Sequence, residues 1–450
     1  MKWSKRAALL AAALAACTVD DGVLGGLDSD RGAAGSSGQS NECTSQGPRV
    51  SLREGSGTNG YETCTGRVAA AQFLNALCTC ADARLGNFLQ TRGFDSSRGA
   101  YQPGQADDSG ASVGVNGAYV MAAGHTDVGG SLALAGADGP MLAGSLQVRG
   151  DFRCAGDVTV TGTANIARNA WLGGGLVGLG PVTIGGVLHH QESVLALPLT
   201  AGTALQEPVS VSKPCACEPQ EQLDILGLVL AAKERNDNAA AGIRTNALAQ
   251  IAAPTTLTLP CGRYFVDSVA GTGDVTLDVQ GLAALFVAGS LDLSGALSVR
   301  LAPGAELDLF VAGEVQAGRI TLASKERPAA GRLYVAGTAE MSLASPWIGN
   351  LYAPLARVSA TAPLEVWGSI FAREFVSSAS TSFVYDRAVL AAGSGCATPN
   401  PPAGSCSRCG WCSGGTACVD GLCGACRVDD DCCSQSVCAN GSCQVLISVR

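Results

Sequence analysis

Cysteine is the residue type in this chain with the most chemistry to offer, and there are twenty. Thiolates can hold zinc, cycle as a redox dithiol, accept a lipid or pair as disulfides. Cys409-Gly410-Trp411-Cys412 and Cys423-Gly424-Ala425-Cys426 both have the C-x-x-C spacing that suits zinc or redox work. They sit, however, among ten cysteines between Cys406 and Cys443, a density typical of an exported disulfide framework. The turn Cys418-Val419-Asp420-Gly421-Leu422-Cys423 recurs as Cys438-Ala439-Asn440-Gly441-Ser442-Cys443. Structural disulfides are therefore the favoured reading, and a module this small needs them.

Other reactive types are sparse. The three histidines are His125, His189 and His190. Neighbouring strand residues point to opposite faces, so His189 and His190 are poorly placed to share a metal. Asn236-Asp237-Asn238 offers oxygen ligands for calcium but lacks the glycine and terminal acid of a helix-loop-helix calcium loop. Helix capping, or hydrogen bonding into a first coil, suits that triplet better. Asp429-Asp430-Asp431 reads as a solvated loop. A polysaccharide-cleaving β-helix would need paired carboxylates on one face. Asp274, Asp278, Asp292, Glu306, Asp308 and Glu314 are scattered, and the spacing of Asp292 and Asp308 is out of step with the repeat described below. Neither Gly289-Ser290 nor Gly368-Ser369 belongs to a Gly-x-Ser-x-Gly elbow. No catalytic residue, cofactor or metal is expected.

The elements that would position these residues are strands. Leu285-Phe286-Val287-Ala288-Gly289, Leu309-Phe310-Val311-Ala312-Gly313 and Leu333-Tyr334-Val335-Ala336-Gly337 are near copies. Their aromatics fall at positions 286, 310 and 334, an equal step taken twice. Between them apolar and polar residues alternate, as in Leu307-Asp308-Leu309, the pattern of half-buried strands. A fixed step of this size signals stacked coils. The fold class is all-β: a parallel β-helix with one interrupting or capping α-helix and a small disulfide-rich C-terminal module. Glycine at 59 residues and aromatics at 5% suit turn-dense β-structure. One coil cannot stand alone. A buried aliphatic side chain is worth about 1.5–3 kcal/mol, whereas ordering each backbone residue costs about 1–2 kcal/mol. Stacking must cover each coil on both sides.

Along the chain, residues 1–16 read as a signal peptide: Lys2, Lys5 and Arg6 precede the apolar run Ala7 to Ala16, which is too short to span a bilayer. Leu14-Ala15-Ala16-Cys17 resembles a bacterial lipobox, which implies acylation of Cys17 and anchoring in the outer membrane or at the cell surface. Cleavage there leaves 26 basic against 38 acidic residues, a balance that argues against nucleic-acid partners. A Gly/Ser/Asp-rich tether follows at 17–41, then a cysteine-containing region at 42–99 with a helix expected over Arg67 to Leu77. Strand patterns occupy 100–190 and 256–390. The interruption at 191–255 holds a helix expected over Pro219 to Ala240, its apolar face formed by Leu223, Leu226, Val229 and Leu230. A Pro-rich hinge at 391–405 leads into the module at 406–450.

The disulfide candidates are Cys43, Cys64, Cys78, Cys80, Cys154, Cys215, Cys217 and Cys261 upstream, and Cys396, Cys406, Cys409, Cys412, Cys418, Cys423, Cys426, Cys432, Cys433, Cys438 and Cys443 downstream. With Cys17 lipidated their number is odd, which leaves one free thiol or one intermolecular bridge. Cys78 and Cys80 are too close for easy mutual bridging, so each is expected to find a distant partner.

Several of these features resemble a family of uncharacterised exported bacterial β-helix domains found in lipoproteins and in pilus-associated and surface proteins. The residues that carry the likeness are Asn236-Asp237-Asn238-Ala239-Ala240, Leu257-Thr258-Leu259-Pro260-Cys261-Gly262-Arg263-Tyr264-Phe265, Leu285 to Gly289, Gly349-Asn350-Leu351-Tyr352-Ala353-Pro354 and Val384-Tyr385-Asp386. The resemblance spans about Cys215 to Leu390 and implies a β-helical surface domain with no known reaction. The C-terminal module is similar to knottin-like cystine-rich modules. A non-enzymatic, lipid-anchored surface scaffold or adhesin-like spacer is expected, whose partners are the membrane and envelope polysaccharide or surface and pilus proteins. A polysaccharide-active enzyme and a pilus or secretion assembly factor are the rival readings.

Overall fold

Short alternating segments of Val, Leu, Ile and Thr form the strands of a parallel solenoid, because inward residues of one coil find cover only on the inward residues of the next. The computed structural model describes residues 47–53, 60–104, 110–196, 198–394, 396, 417–419, 422–424, 426, 432, 436–439 and 442–445. The expected signal peptide, Cys17, the tether 17–41, Cys43, most of the hinge 391–405, Cys406, Cys409, Cys412, Cys433 and Asp429-Asp430-Asp431 lie outside these residues.

Each coil has three strands, which define faces A, B and C, represented in the lowest coil by Gly262–Val266, Val269–Gly271 and Thr255–Leu259 respectively. The coils run in two blocks. In the lower half, 255–386, strands on face A stack in the order Gly262–Val266, Leu282–Val287, Glu306–Val311, Gly331–Val335, Asn350–Ala360 and Ile370–Ser377. The equal step is confirmed by the pairings Phe286↔Phe310 and Phe310↔Tyr334, and it shortens at Tyr334↔Tyr352. In the upper half, Leu77–Thr79, Val113–Val115, Leu132–Leu134, Phe152–Cys154 and Ala170–Leu172 continue the same face.

The halves join out of sequence order. Leu77–Thr79 pairs with Ile370–Ser377, and Leu89–Phe94 pairs with Thr381–Asp386, so the last coil of the lower half is covered by the first coil of the upper half. The solenoid is continuous, and its order in space is 255–386 followed by 77–206. This corrects two expectations. The strand block expected at 256–390 does not end the solenoid, and the region 42–99 is not separate from it, since Leu77 to Phe94 supplies a complete coil. Upper strands also run past 190 to Gln206. Contacts between segments some 290 residues apart leave no local periodic signal, which is why the junction is invisible in the sequence.

The chain returns from the top of the upper half to the bottom of the lower half through 207–254, along face A. Cys215 bonds Cys78 and Cys217 bonds Cys80, pinning this strap at the junction. Both cysteines of the Cys78-Thr79-Cys80 pair do find distant partners. Gly114 lets the strap approach closely: a Cβ there would lie 3.0 Å from Pro214 Cβ and 3.1 Å from Cys215 Sγ. Beyond, α2 (Ile225–Glu234) packs on the lower strands of face A, its N-terminus capped by Asp224, which accepts from Gly227 N at 2.8 Å. The helix is shorter than expected and turned about its axis. Ile225, Leu228, Val229 and Ala232 are buried, while Leu226 and Leu230 face outward. A further helix, α1 (Thr65–Gln72), ends before the expected Leu77, because Leu77 is already in a strand. Cys64, at its N-cap, bonds Cys396.

In the C-terminal module, Ala417–Val419 pairs with Leu422–Gly424 and Ser436–Ala439 with Ser442–Val445, so the repeated turn makes two antiparallel hairpins. Cys426 bonds Cys438 and Cys432 bonds Cys443.

Candidate functional site

Face A carries the side chains with most chemistry, and its two halves treat them differently. In the lower half the outward column is Phe265, Phe286, Phe310, Tyr334, Tyr352 and Phe371. Stacking is close at Phe286–Phe310 (4.9 Å) and Phe310–Tyr334 (4.4 Å). These rings point away from the lumen, yet all are buried. A second layer covers them: α2, Phe73 at 5.6 Å from Tyr334, and Leu223, whose N–H donates to Tyr352 Oη at 3.1 Å.

Beside this column lies a buried ionic cluster. Arg332 stands over Asp308 on the next coil and is only 2% exposed. It donates through Nε to Asp308 Oδ1 (2.5 Å), through Nη2 to Asp308 Oδ2 (2.9 Å) and to Glu306 Oε2 (2.7 Å), and through Nη1 to Ala329 O (3.0 Å). Tyr334 Oη donates to Asp308 Oδ1 at 3.2 Å. Burial disfavours the guanidinium charge, but the carboxylates of Asp308 and Glu306 outweigh it and hold Arg332 well above its ordinary value. Burial, followed by the charge of Asp308, pushes the Tyr334 phenol well up. The guanidinium is held charged and the phenol neutral, and both are buried away from solvent. The cluster's chemistry is that of a lock. Asp292, the other acid weighed for a catalytic pair, stands between Ala270 and Gln316 on face B, away from Asp308 on face A.

On the upper half of face A, Arg153, Trp171 and His189 follow one another in one column, each a coil above the last, and no described helix packs on their strands. Arg153 Cζ lies 3.8 Å above the Trp171 ring, whose other side stacks on His189 at 5.1 Å and 1°. His189 Nδ1 is 2.6 Å from Glu207 Oε1. His190 instead engages Glu192 O, at 2.8 Å, and His125 packs edge-on against Phe88. The three histidines thus each have a different partner. Face C of the upper half carries an outward polar row, Gln90, Asp127, Gln147, Asn165, Thr183 and Thr200, of which the last four are exposed.

Asn236-Asp237-Asn238 finds its role at the lower end. Asn238 Nδ2 donates to Phe265 O (2.6 Å) and Phe265 N donates to Asn238 Oδ1 (2.9 Å). Asp237 N donates to Arg263 O (2.7 Å), and Arg263 N donates to Asp237 Oδ2 (2.8 Å). The side chains satisfy the edge of the first coil as a neighbouring strand would. This is the hydrogen bonding into the first coil that the triplet itself favoured over calcium.

Among the upstream cysteines, Cys261 is disulfide-bonded and Cys154 is free. Cys154 sits in the lumen between Leu134 and Leu172, where burial pushes its thiol up to about 12. The sulfurs of Cys426, Cys432 and Cys443 lie within 4.8 Å of one another, but all three are in disulfides, so they offer no thiolate to a metal. Sequence reasoning passed over Arg332 and the Arg153–Trp171–His189 column. Both lie on the coil step, from Asp308 to Arg332 in the first case and through Arg153, Trp171 and His189 in the second, so the step itself was the usable signal.

Residues 218–391 match a family model described as Domain of unknown function (DUF7305). The match begins just past Cys217 and ends in the short 3-10 helix after the lower half, so it takes in α2, the end cap and the lower coils. No curated protein and no solved structure matches the chain.

Proposed function

Starting from residues 218–391 as a β-helical domain of unknown function, we propose that the chain is a non-enzymatic scaffold of the cell envelope. Cys17 carries the lipid anchor, the tether 17–41 supplies reach, the solenoid is a rigid spacer, and the cystine-rich module is presented to a partner. The observation that carries this reading is the continuity of the solenoid across its out-of-order junction, with the strap bonded to it at Cys78 and Cys80. A rod locked at its middle transmits position without bending there. The exposed row Gln147, Asn165, Thr183 and Thr200 supports contact with an envelope polysaccharide, since adjacent coils repeat hydrogen-bonding side chains at a strand spacing of about 4.8 Å. No described helix is long and apolar enough to cross a membrane, so in this reading the anchor is the lipid. Changing Cys17→Ala is expected to move the protein from the membrane to the soluble fraction. Unchanged partitioning of that variant in cell fractionation would rule the anchor out.

A further inference from the structure

The two ends of the solenoid are finished differently. At the lower end, Asp237 and Asn238 bind the edge of Gly262–Val266, and Ile251 bridges to Gly271, with Ile251 N donating to Ala270 O at 2.9 Å. At the upper end the last strands are Val194–Ala196 and Leu199–Gln206. They pair only with the coil beneath, Leu176–Gly178 and Val182–His190, and no described strand lies beyond them.

The direction of the free groups can be read from the bonds that are made. Val182 N donates to Pro198 O, and Glu207 N donates to His190 O. Backbone groups alternate in direction along a strand, so the N–H and C=O of Leu199, Ala201, Ala204 and Gln206 point away from the coil beneath. Natural proteins guard such edges with charge, proline or bulges that turn the edge away. Leu199–Gln206 contains no charged residue and no proline, although its register against the coil beneath shifts between Ala201 and Thr203. Large apolar side chains are exposed on the last two coils: Leu179 (70%), Leu195 (65%), Leu205 (41%) and Val177 (40%).

We infer that the upper end is a dimer interface, in which Leu199–Gln206 pairs antiparallel with the same strand of a second copy about a two-fold axis between Gly202 and Thr203. Three observations select this occupant. Head-to-tail stacking is blocked over two of the three strands of the lower edge, which are bonded to Asp237, Asn238 and Ile251, and only Thr255–Leu259 is left with no described strand beneath. The proposed register sets Ala201 opposite Ala204, and Leu199 opposite Gln206, of the second copy, so the outward backbone groups meet one another. It also keeps side chains on matching sides. Leu199, Ala201 and Ala204 stand over the buried Val182, Ile184 and Leu188, while Thr200 and Leu205 stand over Thr183 and His189 on the outer side. A two-fold contact closes on itself, so two rods join and no fibre grows. The contact is independent of the anchor and of any polysaccharide.

The test is sedimentation velocity of the purified full chain, with circular dichroism as a check on folding. The wild type is expected to sediment at twice the mass of one chain. Thr200→Lys with Leu205→Lys sets lysine opposite lysine in the proposed register and is expected to sediment as a monomer with an unchanged spectrum. Thr200→Lys with Leu205→Glu sets opposite charges together and is expected to stay dimeric. A monomeric wild type at tens of micromolar would overturn the inference. So would a dimer indifferent to the lysine pair, or one lost only when residues 397–450 are removed.

Discussion

Phe310 and Arg153 occupy the same outward column of the same face, yet one is fully buried and the other keeps 16% of its side chain exposed. The difference lies in what the chain lays over each half. The lower half is covered by α2 and Phe73, and its outward positions therefore hold aromatic rings and a buried ionic lock. Over Arg153, Trp171 and His189 no described helix packs, only the extended strap returns along the same face, and the outward positions hold polar or amphipathic side chains that keep some contact with water. The lumen stabilises both halves in the same way. Only a second layer lets the outer side of a coil contribute burial as well. The family match follows that division, since residues 218–391 comprise the lower half together with its cover.

The sharpest way to break the comparison is at the lock. Arg332→Ala leaves Asp308 buried without its partner and is expected to cost about 3–5 kcal/mol, read as a lowered midpoint in denaturant unfolding. A loss below about 1 kcal/mol would mean that water reaches the cluster and that the cover is not closed. A smaller effect is expected at the end cap. Asn238→Ala strands the N–H and C=O of Phe265 and is expected to cost about 1–3 kcal/mol. Amide hydrogen exchange should quicken first in the coil 255–271, and uniform quickening across both halves would contradict a local cap. The smallest effect belongs to the upper column. Trp171→Ala removes a half-exposed cation–π contact worth about 0.5–1 kcal/mol. Thermal unfolding of this variant should lie close to wild type, and a loss as large as that of Arg332→Ala would erase the distinction between the halves.

Much of this was legible in the residues. The copies at Leu285, Leu309 and Leu333 fixed both the coil step and the stacking of Phe286, Phe310 and Tyr334. The spacing of Cys78 and Cys80 argued against their mutual bond, and each does have a distant partner, while Cys154 is free among the described residues. The helix was legible as a helix but not in its orientation. Leu226 and Leu230 are as apolar as Leu228 and Val229, and only packing on face A decides which pair is buried.

Sequence by itself determined what repeats: the strands, their step, the glycine corners and the inward apolar positions. These depend on residues a few places apart and on a period that each coil obeys locally. Tertiary structure alone decided how the blocks are ordered, which outer face is covered and which end is left open. Those outcomes rest on contacts such as Leu77 on Ile370 and Cys217 on Cys80. Long-range pairing of this kind has no period to betray it. It is selected by which arrangement buries the outer rings of the lower half and satisfies the most strand edges at once.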